Sequence, residues 1–70
     1  MFMPNLISSV VITFAPKNPL DAYSTIVLSL DPIVGSTLSQ VFEYVRKNPL
    51  VKSRLRYYYI IGFTFQYSEL

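Results

Sequence analysis

Hydrophobic and polar residues alternate along the last part of the chain, from about Arg54 to Ser68. The odd positions of this segment are all apolar or aromatic, and they are Leu55, Tyr57, Tyr59, Ile61, Phe63, Phe65 and Tyr67. The even positions are mostly polar or small. A period of two residues is typical of a strand that buries one face, so we predict a strand here. Because strands usually have roughly five or six residues, we expect either a bend at Gly62 or pairing with another chain.

Two earlier segments are also predicted to be strands. The first runs from about Leu6 to Ala15 and is rich in β-branched residues, which favour strands. One of its faces is predicted to carry Leu6, Val10, Ile12 and Phe14, and the other Ile7, Ser9, Val11 and Thr13. The second runs from about Ser24 to Leu30, and its apolar face consists of Ile26, Leu28 and Leu30. A proline-containing loop separates the two strands, and a hairpin is their simplest pairing.

One helix is predicted from Pro32 to about Lys47. Asp31 can cap its first backbone N–H groups, and proline is well tolerated at the first helical position. The apolar residues lie on one stripe at helical spacing, and they are Val34, Leu38, Val41, Phe42 and Val45. The order β-β-α-β predicts an α+β fold with a small three-stranded, mainly antiparallel sheet and one helix packed on one face. Residues 1–70 are expected to form a single domain.

The chain is short for the amount of apolar surface that it carries. It has 70 residues, of which 51% are hydrophobic, and it contains six Tyr and five Phe. A domain of this size is close to the lower limit for folding alone. Since there is no Cys, no His and only four carboxylates, disulfides are excluded and neither a structural metal nor another cofactor is expected. Association with a partner is the remaining way to shield the large rings.

Side chains suited to catalysis are scarce. Without His and Cys, the chain lacks the commonest general base and the commonest strong nucleophile. The carboxylates are scattered, and they are Asp21, Asp31, Glu43 and Glu69. The sequence Gly35-Ser36-Thr37 lacks the second Gly and the Lys of a phosphate-binding loop. We therefore expect a protein that is not an enzyme.

The odd-numbered face of the C-terminal strand is the first candidate site. The helix stripe is too small to cover the whole of this face. We expect a protein interface here, formed by Tyr57, Tyr59, Ile61, Phe63 and Phe65, in a homodimer, a larger homo-oligomer or another protein assembly. The alternative is that these rings fill the core while the Tyr hydroxyls reach solvent. The small size of the chain favours association.

A cluster of basic residues is the second candidate site. Five of the six basic residues fall within eleven positions that contain no acid, and they are Arg46, Lys47, Lys52, Arg54 and Arg56. With Tyr58, which is predicted to share a strand face with Arg54 and Arg56, they are candidate contacts for RNA or single-stranded DNA. The alternative is a solvated basic face. The net charge of +2 is small for a nucleic-acid-binding protein and favours this alternative.

Charge-free runs in the sequence are too short for a membrane-spanning helix. The longest, residues 1–16, contains sixteen residues and is interrupted by polar residues and a proline, whereas a span needs about twenty. The N-terminus lacks the positive charge of a secretory signal. The expected protein is soluble and cytoplasmic. Adsorption to an anionic membrane surface through the basic cluster and exposed rings is a weaker alternative.

Overall fold

The computed structural model describes residues 6–68, which form a three-stranded antiparallel sheet with helices on one face. The strands are β1 (Leu6–Pro16), β2 (Ser24–Ser29) and β3 (Tyr58–Ser68). A short 3-10 helix (Val34–Ser36) and two α-helices, α1 (Leu38–Lys47) and α2 (Pro49–Arg54), connect β2 to β3. The predicted α+β class and the order β-β-helix-β are therefore confirmed.

β1 is the central strand of the sheet. β2 lies on one side of it and β3 on the other, and both are antiparallel to it. Val11 at the middle of β1 pairs with Val27 of β2 and with Thr64 of β3. The predicted hairpin of the first two strands is confirmed. Within residues 6–68 no further strand pairs with β2 or β3, so both are edge strands.

The core lies between the sheet and the helices. Its buried residues are all hydrophobic, and they are Ile7, Val10, Ile12, Phe14, Ile26, Leu28, Val41, Val45 and Val51. Val10, Ile12 and Phe14, which were predicted to share one face of β1, all lie on the face that is buried in the core. The prediction that Ile7 faces the other way is wrong, because the register with β3 shifts between Ile7 and Ser9. The extra residue in β1 turns Ile7 into the core.

α1 forms only the later part of the helix predicted from Pro32 to Lys47. It begins after Thr37, whose Oγ1 accepts a hydrogen bond from the backbone N–H of Gln40 at 3.2 Å. Asp31 accepts a hydrogen bond from the backbone N–H of Val34 at 2.8 Å, as a cap should, but the turn that follows is the 3-10 helix. One continuous helix is not formed, because Thr37 has an extended backbone with φ −138° and ψ 152°.

The 3-10 helix lies directly against β1. Gly35 is buried at this contact, and a Cβ there would overlap the backbone carbonyl oxygen of Ile7. The backbone of Gly35 packs directly against the backbone of Ile7, and neither can move aside as a flexible side chain could. Only glycine, which has no Cβ, allows so close an approach. The contact brings the start of the helical layer onto the sheet.

α2 ends at Arg54, the residue at which the last strand was predicted to begin. The side-chain oxygen of Asn48 accepts hydrogen bonds from the backbone N–H groups of Leu50 at 2.9 Å and Val51 at 3.3 Å. Val51 is then buried in the core with 1% of its surface exposed. The prediction that the strand begins at Arg54 is therefore wrong, and β3 begins at Tyr58.

A bulge at Ile61 interrupts β3, next to Gly62, where the sequence predicted a bend. Thr13 pairs with Gly62 and the next residue, Phe14, pairs with Ile60, so Ile61 is an extra residue in β3. Because side chains alternate between the two faces of a strand, an extra residue exchanges the faces. Even positions of β3 face the helices before the bulge, and odd positions face them after it.

Candidate functional site

Aromatic side chains make up much of the exposed apolar surface. Among residues 6–68, Phe14 is the only fully buried aromatic residue. Tyr58 and Phe65 are partly buried against the core. The other aromatic residues of the described part are exposed, and they are Tyr23, Phe42, Tyr44, Tyr57, Tyr59, Phe63 and Tyr67. The fold thus carries more aromatic surface than its core holds.

The bulge divides the residues of the predicted interface between the two faces of β3. Phe63 and Phe65 lie on the side that faces the helices, whereas Tyr59 lies on the opposite, outer side. Ile61 is the bulge residue itself, and Tyr57 precedes the strand. The five residues do not share one face, because the period of two residues is broken at the bulge.

Three phenylalanine side chains, Phe42, Phe63 and Phe65, form a phenylalanine cluster at the edge of the helical layer. Phe42 of α1 lies edge-on against Phe63, with ring centroids 5.3 Å apart, and against Phe65 at 6.0 Å. The rings of Phe63 and Phe65 are stacked at 6.3 Å. Phe42 remains 43% exposed and Phe63 37% exposed, so the cluster is only half covered. Phe42 belongs to the predicted helix stripe and lies outside the predicted interface.

The helices cover the β2 side of the sheet more completely than the β3 side. Ile12 of β1 pairs with Ile26 of β2 and with Phe63 of β3, so these three side chains share a face. Ile26 is 8% exposed and Phe63 is 37% exposed. Tyr67, further along the same face of β3, is 58% exposed. The exposed apolar surface of the helix-facing side therefore lies along β3.

The free edge of β3 has few of the features that prevent edge strands from pairing. Native edges are usually protected by short strands, charged side chains or proline. β3 has eleven residues, and none of them is charged or proline. The bulge at Ile61 interrupts this edge once and leaves residues 62–68 as an unbroken stretch.

The outer face of the sheet is also uncharged. None of the three strands contains Asp, Glu, Lys or Arg. The row at the middle of this face consists of Val27, Val11 and Thr64. At one end, the Nζ atom of Lys17, which follows β1, lies 5.2 Å from the ring centroid of Tyr59. The charges of the described chain thus lie in the helices, turns and loops.

The structure disperses the predicted basic cluster. Arg46 and Lys47 both form ion pairs with Glu43, at 2.6 Å and 2.9 Å. The hydrogen bond from Lys47, and then that from Arg46, lowers the pKa of the Glu43 carboxyl below its ordinary value. Lys52 and Arg56 are exposed and pair with no acidic side chain of the described part. The single carboxylate of Glu43 thus offsets one of the two positive charges of Arg46 and Lys47.

Arg54 contributes to the packing at one end of the core. Its guanidinium lies 5.9 Å from the ring centroid of Phe14 and 5.5 Å from that of Tyr58, and it donates a hydrogen bond to the Ser24 hydroxyl. The prediction that Arg54, Arg56 and Tyr58 share a strand face is wrong, because Arg54 belongs to α2 and Arg56 to the turn that follows.

Residues 6–68 contain no pocket and no group of three or more potential metal ligands. No helix in this range is long and apolar enough to span a membrane. Comparison with protein-family models, curated proteins and solved structures gives no match. The candidate site is therefore the open surface along β3, bordered by the phenylalanine cluster.

Proposed function

We propose that this is a small non-catalytic interaction protein that self-associates through β3. The observation that carries the proposal is an uncharged edge strand of eleven residues with two exposed helix-facing rings, Phe63 and Tyr67. The free edge of such a strand presents backbone N–H and C=O groups to solvent, and another strand can pair with them. Pairing at this edge also brings apolar side chains of the partner next to the exposed rings.

The exposed rings set the scale of the interface. Phe42, Phe63 and Tyr67 are 43%, 37% and 58% exposed. Since large aromatic side chains have roughly 150–250 Å² of surface each, these three offer on the order of 250 Å² per copy. Two copies thus offer on the order of 500 Å² of aromatic surface, whereas specific interfaces bury about 1,200–2,000 Å² in total. We therefore expect a weak dimer that depends on protein concentration.

Binding of RNA or single-stranded DNA gains no support from this arrangement. Arg46 and Lys47 are paired with Glu43, and Arg54 packs on rings of the core. A nucleic-acid platform needs cations and exposed rings on one surface. Adsorption to an anionic membrane surface relies on the same basic residues and gains no support either.

Matched variants on the two edge strands test the proposal. Thr64 of β3 and Thr25 of β2 are both exposed on the outer face of the sheet. Thr64→Lys places a charge on the β3 edge, which opposes pairing there because the ammonium group is partly desolvated by the added strand. We expect it to weaken dimerisation about tenfold or more, measured by sedimentation velocity over a range of concentrations. Thr25→Lys is expected to leave the native mass unchanged.

Other results of this experiment would place the interface on a different surface or rule out self-association. Dissociation by Thr25→Lys alone would place the interface on β2, and dissociation by both variants would place it on the outer face. A wild-type protein that stays monomeric at the highest accessible concentration contradicts self-association altogether. Circular dichroism of both variants shows whether each retains the fold. A decrease in native mass caused by dissociation is then distinguished from unfolding.

A further inference from the structure

The bulge at Ile61 restricts where β3 can pair with another strand. We infer that residues 62–68 of two copies of this chain pair antiparallel about a two-fold axis at Phe65. The inference rests on the proposed self-association and specifies its partner and its register. It follows from three features of β3: its unbroken length, its lack of charge and the positions of its exposed rings.

The unbroken part of the edge lies after the bulge. An extra residue disrupts the hydrogen-bond ladder and bends the strand locally. From Gly62 to Ser68, β3 has no extra residue, because the second register shift, between Ile7 and Ser9, lies in β1. This stretch of seven residues is about 23 Å long. A second strand can follow it without crossing the bulge.

A second copy of the same stretch is a suitable partner. A two-fold axis perpendicular to the sheet makes the paired strands antiparallel and keeps the helix-facing sides of both copies on the same side. Residues directly opposite each other then share a face, as pleating requires. No charged residue occurs in β3, so no like charges meet near the axis, and the strand offers no charge by which a different partner could be selected.

The exposed rings select the register. With the axis at Phe65, Phe63 of each copy lies opposite Tyr67 of the other copy, and all seven residues are paired. The two helix-facing residues of this stretch with the larger exposure, Phe63 at 37% and Tyr67 at 58%, thus cover each other at both ends. An axis at Thr64 places Tyr67 opposite the bulge, and an axis at Gln66 places Phe63 outside the paired part of residues 62–68. Both of these registers leave a ring uncovered.

Single-cysteine variants can report this register, because the chain contains no cysteine. With the axis at Phe65, residue 64 of one copy lies opposite residue 66 of the other. Opposite Cα atoms are about 4.5–5.5 Å apart, which suits a disulfide, whereas diagonal neighbours at about 7–8 Å are too far apart. Thr64 and Gln66 are both exposed on the outer face, so their replacement leaves the core intact.

The experiment compares disulfide formation with oxidised glutathione as oxidant. An equimolar mixture of Thr64→Cys and Gln66→Cys is expected to form the linked dimer about tenfold faster than either variant alone, because only the mixture places two thiols opposite each other. Thr25→Cys, on the outer face of β2, is the matched control and is expected to stay at the background rate. Wild-type native mass is measured in parallel.

The outcomes separate the register from the proposed function. Faster linkage of Thr64→Cys alone would show that the axis lies at residue 64, and faster linkage of Gln66→Cys alone would show that it lies at residue 66. Either result overturns the register at Phe65. Linkage of Thr25→Cys alone, or no linkage in a protein of dimeric mass, overturns pairing through β3 but not self-association. A monomeric wild-type protein overturns the proposed function itself.

A second measurement avoids cysteine, in case Gln66→Cys does not fold after losing the hydrogen bond that Ser9 donates to the Gln66 side chain. Mixing Thr64→Lys with Gln66→Glu brings opposite charges together in the same register. The mixture is expected to recover the dimeric mass that Thr64→Lys loses alone. Failure to recover it, while Gln66→Glu alone remains dimeric, contradicts the register.

Discussion

β2 and β3 pair with the same central strand, but the helices cover the side chains of β2 and leave those of β3 partly exposed. β2 has six residues, and its helix-facing Ile26 and Leu28 are 8% and 6% exposed. β3 has eleven residues, and its helix-facing Phe63 and Tyr67 are 37% and 58% exposed. A strand added beside β2 would therefore find little apolar surface on this face, whereas one added beside β3 finds exposed rings.

The difference follows from the lengths of the elements. α1 has ten residues and is about 15 Å long, whereas β3 has eleven residues and is about 36 Å long. α1 is less than half as long as β3, so it cannot cover the whole of that strand. Phe42 is the residue through which α1 reaches β3, and it contacts Phe63 and Phe65.

The largest expected effect comes from truncating the two side chains that flank Ile12 in one row of the sheet. Ile26→Ala removes a buried side chain of β2 and is expected to lower the free energy of unfolding by about 2–4 kcal/mol at any protein concentration. Phe63→Ala removes a half-exposed ring of β3, so it is expected to lower the stability of the monomer less. Its main effect is to remove the dependence of the unfolding midpoint on protein concentration. Urea unfolding at two protein concentrations measures both quantities.

An equal loss of monomer stability in the two variants would show that Phe63 is as much a core residue as Ile26, which contradicts the proposed difference between β2 and β3. A control is Val27→Ala on the exposed outer face of β2, where this residue is 61% exposed. Its expected effect is smaller than about 1 kcal/mol, since little buried surface is lost.

A smaller effect is expected from adding a methyl group at the two glycines, one in the covered half and one on the open edge. At Gly35 a Cβ would overlap the carbonyl oxygen of Ile7, so Gly35→Ala requires a backbone shift and is expected to cost about 1–3 kcal/mol. At Gly62 nothing lies within 4 Å of the added Cβ, and the backbone φ is not positive. Gly62→Ala is therefore expected to be neutral or to stabilise by up to about 1 kcal/mol. Thermal unfolding of the two variants checks this, and a destabilising Gly62→Ala would show that the bulge itself needs glycine.

Much of the fold was predictable from the alternation of residues, because each strand buries one face. The three strands, the shared face of Val10, Ile12 and Phe14, and an irregularity of β3 beside Gly62 all followed from local patterns. The exchange of faces in β3 did not follow, because which residue is extra depends on the pairing with β1. This exchange divided the predicted interface.

The second helix and the roles of the basic residues were not predictable for a related reason. The predicted helix ends at Lys47 as expected, but the next residue, Asn48, is also the cap of α2, because its side chain accepts hydrogen bonds from two N–H groups of that helix. Arg54 packs on Phe14, which is 40 positions earlier in the chain. Contacts over such distances depend on the assembled sheet and leave no local signal.

The smallest expected effect concerns the charges of the helical layer, which contrast with the uncharged sheet. The ion pairs with Lys47 and Arg46 lower the pKa of Glu43, so its stabilising contribution is present above the ordinary pKa of a glutamate and is lost as the pH falls through the lowered value. Because the pair is exposed, the contribution is small and screened by salt. Glu43→Gln is expected to flatten the decrease in unfolding free energy at acidic pH, measured by urea unfolding across that range. Since the β3 edge carries no charge, the dimerisation constant at neutral pH is expected to be the same in this variant and in the wild type. A change in that constant would instead place α1 and its ion pairs within the interface.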